Sequence, residues 1–368
     1  MLRLICAIAL LGVVGSGPAW AERLETSAGL VEVVPVVEDL DTPWAVAFLP
    51  DGGFLITERD GTLLRISPDG ARAQVSGVPD VRASGQGGLL DVVLDPGFAE
   101  NNLIYLSYSE PEGFRSARTV VAKARLTGTV LEGLEVIFRM EPATSGGRHF
   151  GSRIVPDGEG HLFITTGDRG SSDEAQNPNT HIGKVIRIRD DGSVPADNPF
   201  SNGAALPEIW SIGHRNPQGA ALDAEGNLWT VSHGARGGDE INQPQSGRNY
   251  GWPIISYGTT YGGTKIGEGT AKPGMEQPVF YWDPSIAPSG MMIYSGKLWP
   301  AWAGHIFVGS LKFDLITRLE RDGGQISGEE HLFRDRFTRI RDVREGPEGA
   351  IWFLSVGDGA LYRMRPAP

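Results

Sequence analysis

Short apolar segments alternate with turns rich in Gly and acidic residues along most of the chain. One phrase recurs: an acidic-Gly turn, a short apolar segment, polar residues, and often a second apolar segment. Its clearest copies begin at Asp51-Gly52, at Asp157-Gly158, at 223–226 and at Glu348-Gly349. Looser copies follow Asp95-Pro96-Gly97 and Ala303-Gly304. Because Asp-Gly turns suit tight hairpins, the pattern predicts many short antiparallel strands.

The six copies are spaced irregularly, at roughly 45–80 residues. Repeats of this length, with about four strands each, are typical of propeller blades. The sequence therefore predicts an all-β fold, a six-bladed β-propeller with four-stranded antiparallel blades, as one domain over 22–368. The alternating run 31–49 is expected to complete the last blade and close the ring. A two-sheet sandwich is the alternative, and the six copies of one phrase favour the propeller.

Composition and charge narrow the class of protein further. The chain has 51 Gly and 25 Pro without a three-residue Gly period, and its 40% hydrophobic content is too high for a disordered chain. The net charge of −12 gives no footprint for nucleic acid. A local cationic pocket remains compatible with that charge, because clefts focus their own field.

The first 21 residues have the pattern of a signal peptide. Arg3 precedes an apolar run over 4–14, and Ala19-Trp20-Ala21 resembles a cleavage site. We expect a periplasmic or secreted protein with no membrane span; a buried N-terminal helix is the alternative. The single cysteine, Cys6, would leave with this segment, so no disulfide or thiol chemistry is expected.

Long glycine-rich connections at 141–153, 168–183, 233–263 and 282–290 interrupt the strand pattern, and loops of this kind often carry function. His149 lies in the first of them, where a loop histidine can act as a general base. A solvated or structural histidine is the alternative.

Three further stretches could hold a ligand. Arg215-Asn216 could grip an anionic or carbonyl-bearing group, although a capped blade turn explains the pair as well. The stretch 233–250 offers carbonyl and carboxylate oxygens that suit calcium, against the alternative of a solvated acidic loop. Alternation along a strand would place Arg339 and Arg341 on one face, where they would suit a polyanion unless they are surface charges.

Read together, these strings resemble the PQQ-dependent aldose sugar dehydrogenases, relatives of soluble quinoprotein glucose dehydrogenase, over about 40–363. The strings that carry the resemblance, in order, are GQGGLLD (85–91), GDRG (167–170), HIGKVIRI (181–188), DGSVPADNPF (191–200), GHRNPQG (213–219), GGDEIN (237–242), NYGWP (249–253), PVFYW (278–282), GSLK (309–312) and RIRDV (339–343).

The resemblance implies roles for individual residues. It implies that His149 is the catalytic base, that Asp168 supports it and that Arg215 polarises the quinone. The PQQ-binding positions that it implies are Gln86, Arg215, Asn216, Tyr261, Ser310, Lys312, Arg339 and Arg341. It implies calcium ligation by the carbonyls of Gly234 and Ala235, and a second calcium site at Glu240 and Tyr250.

The implied reaction is oxidation of aldose monosaccharides, and of oligosaccharides as a further class, at C1 to lactones. Hydride would pass to calcium-bound PQQ and then to an unidentified periplasmic electron acceptor. In the glucose-oxidising branch an acidic residue precedes the base, whereas Arg148 stands here, which favours a more open site. The alternatives are a calcium-dependent lactonase on a similar propeller and a non-catalytic binding propeller. The cations Arg215, Lys312, Arg339 and Arg341 discriminate between these readings, because a lactonase metal centre does not need them.

Overall fold

A computed structural model describes residues 21–368, which form six antiparallel sheets arranged as the blades of a ring. The prediction of a six-bladed β-propeller is therefore confirmed. The predicted signal peptide lies outside the described residues, apart from Ala21. Among residues 21–368 no helix has the length and apolar character needed to cross a bilayer.

The first two strands belong to the last blade, and the first and second blades follow them in the chain. The two strands are β1 (Glu22–Thr26) and β2 (Gly29–Val37). The first blade contains β3 (Pro43–Phe48), β4 (Phe54–Glu58), β5 (Leu63–Ile66) and β6 (Arg72–Gln74). The second contains β7 (Leu89–Leu94), β8 (Leu103–Glu112), β9 (Ser116–Thr127) and β10 (Val130–Arg139), with the short β11 (Thr144–Ser145) paired to β9. The short helix α1 (Phe98–Asn101) connects β7 to β8.

The remaining blades repeat the same plan. The third contains β12 (Ile154–Pro156), β13 (His161–Thr165), β14 (Lys184–Arg189) and β15 (Ile209–Ile212). The fourth contains β16 (Pro217–Leu222), β17 (Leu228–Ser232), β18 (Asp239–Asn242) and β19 (Phe280–Trp282). The fifth contains β20 (Pro288–Ile293), β21 (Ile306–Ser310), β22 (Ile316–Asp322) and β23 (Gln325–Leu332). The sixth contains β24 (Ile340–Glu345), β25 (Ile351–Ser355) and β26 (Ala360–Pro366). Two 3₁₀ turns lie at Ser172–Gln176 and Pro300–Trp302.

The ring is closed by strands from both ends of the chain. Strand β2 pairs antiparallel with β26, with Val33 opposite Met364, so the first part of the run 31–49 closes the ring as predicted. The rest of that run was expected in the last blade too, but it forms β3, the innermost strand of the first blade. Strand β1 folds back on β2 and gives the sixth sheet five strands instead of the predicted four. This extra hairpin covers the backbone edge that β2 would otherwise expose to solvent.

The hydrophobic core is divided into six clusters, one between each pair of neighbouring blades. Trp229 of the fourth blade, for example, packs with Ile306 and Val308 of the fifth. Burial of each such side chain contributes about 1.5–3 kcal/mol to folding. The sheets therefore adhere face to face, and the innermost strands, β3, β7, β12, β16, β20 and β24, contact one another in a closed circle.

A buried ion network joins three of these innermost strands at the centre of the ring. The Arg153 guanidinium lies 3.0 Å from an Asp91 oxygen and 2.8 Å from an Asp342 oxygen. Arg344 reaches the same two carboxylates, at 2.8 and 2.9 Å. Asp91 also accepts the backbone N–H of Ile154 at 3.0 Å. Two cations and two anions thus balance one another where the second, third and sixth blades meet.

Replacing Asp91 by Ala should strongly destabilise the ring, because two buried guanidinium groups would then share one carboxylate. Loss of one partner from a buried ion pair typically costs about 3–5 kcal/mol. Equilibrium unfolding in urea, without added ligands, measures this free energy. Glu268→Ala, which removes the exposed partner of Lys272, is the control and should cost less than about 1 kcal/mol. Equal effects of the two substitutions would contradict a structural role for the network.

Candidate active site

A large cavity of about 1230 Å³ opens at the end of the ring where the innermost strands begin. Its wall includes residues that directly precede or start these strands, among them Trp44, Asn216, Ala287 and Arg339. The long connections around 233–263 and 282–290 complete the wall. Two of the four glycine-rich interruptions noted in the sequence therefore meet in this cavity wall.

Five cationic side chains line this cavity: Arg59, Arg236, Lys312, Arg339 and Arg341. Among residues 21–368, none of the five forms an ion pair with a carboxylate. Four of them donate to neutral oxygens instead. These bonds are Arg59 to the Gly85 carbonyl (2.6 Å), Lys312 to that of Ser285 (3.0 Å), Arg339 to that of Leu311 (3.2 Å) and Arg341 to the Gln218 amide oxygen (3.1 Å).

The neighbouring cations contribute to a shift in the pKa of Arg341. Burial, followed by the charges of Arg153, Arg339 and Arg59, lowers the pKa of its guanidinium. The cavity thus holds five cations that form no ion pair with a protein carboxylate, an arrangement that favours an anionic ligand.

Arg339 and Arg341 reach the cavity by a different route from the predicted one. Arg339 precedes β24 and has a φ of 56°, and the register of β24 with β25 shifts between Ile340 and Asp342. The expectation of simple alternation along a strand was therefore wrong. A left-handed residue and an adjacent bulge re-aim both side chains, a common use of bulges near binding sites.

His149 forms a close pair with Asp168 beside the cavity. Its Nδ1 lies 2.6 Å from Asp168 Oδ1, and its backbone N–H donates to the Gln86 side-chain oxygen at 2.6 Å. Gln86 itself lines the cavity. Gly167 permits the approach of the two loops, since a Cβ there would lie 2.1 Å from the His149 carbonyl oxygen.

The protonation states follow from these contacts. Burial opposes the ionisation of Asp168, but the hydrogen bonds from His149 and Gly170 and the charge of Arg215 hold its pKa below the ordinary value. An ionised carboxylate can only accept, so His149 Nδ1 carries a proton and Nε2 is the basic nitrogen. Burial, and then the charges of Arg215 and Arg148, lower the pKa of His149 against the opposing effect of Asp168. A neutral base at neutral pH is the result.

Trp252, which the sequence did not single out, links this pair to Arg215. Its indole N–H donates to Asp168 Oδ2 at 2.8 Å, and its ring lies 5.2 Å from the Arg215 guanidinium. The Asp168 backbone N–H in turn donates to the Arg215 carbonyl at 2.7 Å. Next to it, Asn216 accepts from the Gly151 N–H at 3.1 Å and lines the cavity.

The loop that offers carbonyl oxygens is held by a fully buried carboxylate, Asp239. One oxygen accepts from the Gly234 N–H at 2.8 Å and from the Ser285 hydroxyl at 3.0 Å. The other accepts the backbone N–H groups of Ile286 at 2.7 Å and Ala287 at 3.1 Å. Asp239 therefore fixes two loops of the cavity wall against each other, and Ala235 lies in that wall.

Glu240 and Tyr250 lie outside the residues that line the cavity. Burial raises the pKa of Glu240 to about 7 despite a hydrogen bond from Asn242. The Tyr250 hydroxyl is already engaged, since it donates to the Gln243 carbonyl at 2.6 Å and accepts from the Gln245 N–H at 2.9 Å. No group of three or more His, Cys, Asp or Glu side chains within 21–368 is arranged around a common metal position.

The remaining two predicted ligands differ in their surroundings. Tyr261 lines the cavity and is 74% exposed. Ser310 is fully buried; its hydroxyl donates to the Ile286 carbonyl at 2.6 Å and accepts from the Phe313 N–H at 3.0 Å. Ser310 therefore supports the loop before Lys312 and does not line the cavity.

Sequence reasoning missed several residues of the cavity wall: Trp44, Arg59, Gln218, His233, Arg236 and Asp283. Gln218 stands within the quoted string GHRNPQG and could have been found there. Trp282, the last residue of the quoted string PVFYW, is buried, and its indole N–H donates to Glu329 at 2.8 Å, as expected of a core residue.

Comparison with known proteins gives a family match over most of the chain. Residues 40–363 match the family described as glucose/sorbosone dehydrogenase. The chain is 46% identical over 355 residues to a protein of Escherichia coli K12 named aldose sugar dehydrogenase YliI, a match that covers 94% of this chain and 96% of that protein.

Solved structures are similar over the same extent. The soluble aldose sugar dehydrogenase of Escherichia coli in its apo-form has a TM-score of 0.89 at 43% identity, covering 92% of this chain and 100% of that one. The PQQ-bound form of an aldose sugar dehydrogenase of Streptomyces coelicolor has a TM-score of 0.75 at 26% identity, covering 95% and 99%.

The electrostatic coupling at His149 can be measured directly. Asp168→Asn should lower the pKa of His149 further, because it removes the negative charge and the acceptor that favour the imidazolium. Arg215→Gln should raise it, because it removes a repelling cation. Histidine-selective NMR titration reports both values. Asp157→Asn, which touches His161 instead, is the control. An unchanged His149 titration in both variants would contradict the arrangement described here.

Proposed function

Because the chain belongs to the glucose/sorbosone dehydrogenase family, we propose that it oxidises aldose sugars at C1 to lactones with calcium-bound PQQ as the acceptor. One observation carries the proposal: the unpaired cations Lys312, Arg339 and Arg341 line a single cavity beside the His149–Asp168 pair. Aldose monosaccharides are the expected substrates, and oligosaccharides are a further class that the open cavity can admit.

The chemistry of the wall fits the cofactor. PQQ carries three carboxylates and an ortho-quinone, and the cations Lys312, Arg339 and Arg341 can balance those carboxylates, the arginines bidentately. The amides of Gln86 and Asn216 offer polar contacts at the same wall. Arg215, which lies next to Asn216 of the wall, would supply a fixed positive charge that polarises the quinone. Tyr261 would lie over the mouth, and Ser310 would act through its support of the Lys312 loop.

Calcium would lie at the Gly234–Ala235 carbonyls, whose loop Asp239 holds from behind. Carbonyl oxygens are ligands that this cation favours. Glu240 and Tyr250 would form a second, separate site. A partly protonated Glu240 fits that role, because a bound cation would restore its charge.

His149 provides the proton chemistry. With Nδ1 committed to Asp168, Nε2 is the atom that would take the proton of the C1 hydroxyl, and bound PQQ would supply the acceptor for the hydride of the C1–H bond. The new C1=O bond makes the lactone. The cofactor supplies the two-electron acceptor, and the protein positions, polarises and moves the proton.

A calcium-dependent lactonase remains the rival function. Such a centre gathers carboxylate and amide side chains around a metal, whereas this cavity wall has five cations and one carboxylate, Asp283. The charge of the wall therefore favours a polyanionic cofactor. A non-catalytic binding propeller would have no need for a buried His149–Asp168 pair.

We further propose that the enzyme acts in the periplasm. Residues 1–21 would direct export to the periplasm, and 22–368 would form the single mature domain. Reoxidation of the cofactor would then depend on a periplasmic electron acceptor of unknown identity.

His149→Ala should cut turnover by about 10²–10⁴, the usual contribution of a general base, while PQQ affinity changes little. Steady-state oxidation of an aldose with a dye acceptor, at saturating PQQ and calcium, measures the first quantity, and PQQ titration measures the second. Near-normal turnover would remove His149 from the mechanism.

Lys312→Ala and Arg341→Ala should each weaken PQQ binding about 30- to several-thousand-fold, as expected for charged partners lost from a desolvated site. Binding is measured by calorimetry at fixed salt, with calcium and again after chelation, which should weaken wild-type binding as well. Arg72→Ala, at an exposed position outside the cavity, is the matched control and should have almost no effect. If both cavity variants bound PQQ with unchanged affinity, the lactonase function would be favoured instead.

A further inference from the structure

We propose that Asp283 is a specificity-determining residue whose carboxylate accepts hydroxyl hydrogen bonds from the sugar. The inference rests on the proposed function and names a contact to the substrate within the same cavity. Among the described residues that line the cavity, Asp283 is the only one with a carboxylate.

The Asp283 carboxylate is free to bind a ligand. Its residue is exposed, and within 21–368 its side chain forms neither a hydrogen bond nor an ion pair. This is unusual for an acid that shares one cavity with five cations. Lys312 donates to the carbonyl of Ser285, two residues after Asp283 in the chain, and not to the Asp283 carboxylate. An acceptor is thus left unused at the wall.

The backbone around Asp283 is held on both sides. Trp282 before it is buried between the fourth and fifth blades, and Ser285 to Ala287 after it are bound by Asp239. Gly237 packs directly against the carboxylate, since a Cβ at that position would lie 2.2 Å from Asp283 Oδ1. The acceptor is therefore positioned in advance, as a specificity residue should be.

The charges of PQQ and of the sugar indicate which of the two the Asp283 carboxylate binds. A trianionic cofactor would be repelled by it, so its presence works against cofactor affinity. A neutral sugar carries only hydroxyl donors that match it, and hydrogen bonds to a charged acceptor are among the stronger ones. Of the two organic ligands, the carboxylate therefore matches the neutral polyol, the aldose itself, and the test below distinguishes this contact from support of the calcium site.

The test compares the sugar and the cofactor in one variant, Asp283→Asn, which preserves size and removes the charge. We expect KM for the preferred aldose to rise about 10- to 100-fold with kcat much less affected. We expect PQQ affinity to stay equal or to tighten by up to about tenfold, because a repelling charge is lost. Asp80→Asn, at an exposed position outside the cavity, is the matched control and should change neither quantity.

Deoxy sugars provide a second measurement. On the wild-type enzyme, KM for the analogue that lacks the accepted hydroxyl should rise as much as KM for the full sugar rises in Asp283→Asn. In the variant, KM for this analogue should be little higher than KM for the full sugar. If no deoxy analogue behaved in this way and KM for the full sugar were unchanged in Asp283→Asn, the sugar contact would be overturned while the proposed function would stand.

Two other outcomes are distinguishable. Weaker binding of both PQQ and calcium by Asp283→Asn would show that the carboxylate supports the cofactor site, and would overturn the sugar contact. A wild-type enzyme that binds no PQQ and oxidises no aldose would overturn the proposed function, and this inference with it.

Discussion

The balanced ion network of Asp91, Arg153, Asp342 and Arg344 is the constraint on which the rest of this propeller depends. It joins three blades at the centre of the ring, whereas the six hydrophobic clusters lie between neighbouring blades. Directly above it, the Trp44 ring lies 4.3 Å from Arg153 and 5.9 Å from Arg341. The Trp44 ring thus lies between the charge-balanced ion network and the cations of the cavity.

The candidate site is built on that floor by buried carboxylates that never face the cavity. The Asp168 carboxylate accepts hydrogen bonds from His149, Gly170 and Trp252. The Asp239 carboxylate connects the Gly234 loop to the segment before β20 in the same way. Both acids satisfy backbone N–H groups of long loops, which would otherwise have no regular partners. Rigid placement of loop residues is therefore achieved without secondary structure, and the cavity wall keeps its shape around a polar interior.

Much of this organisation could be predicted from the sequence, because turn chemistry and strand periodicity are local signals. They indicated six blades and closure by the first part of the run 31–49, although the rest of that run belongs to the first blade, and the family resemblance over 40–363 was confirmed. The strand alternation at Arg339 and Arg341 was wrong because a bulge is invisible to a period-two pattern. Trp252 and the role of Asp239 were missed for another reason: they act across many residues, on Asp168 and on 285–287, through contacts that only the fold creates. Asp283 was missed because its place in the cavity wall depends on loops that the fold brings together.

The pairing of β2 with β26 has a consequence for how the chain reaches this state. The residues that seal the ring stand at opposite ends of the described chain, with Val33 opposite Met364. No amount of local folding can complete the sixth blade until the final strand has been synthesised, so the axial charges have no enclosed environment before that moment. Completion of the ring therefore waits for β26.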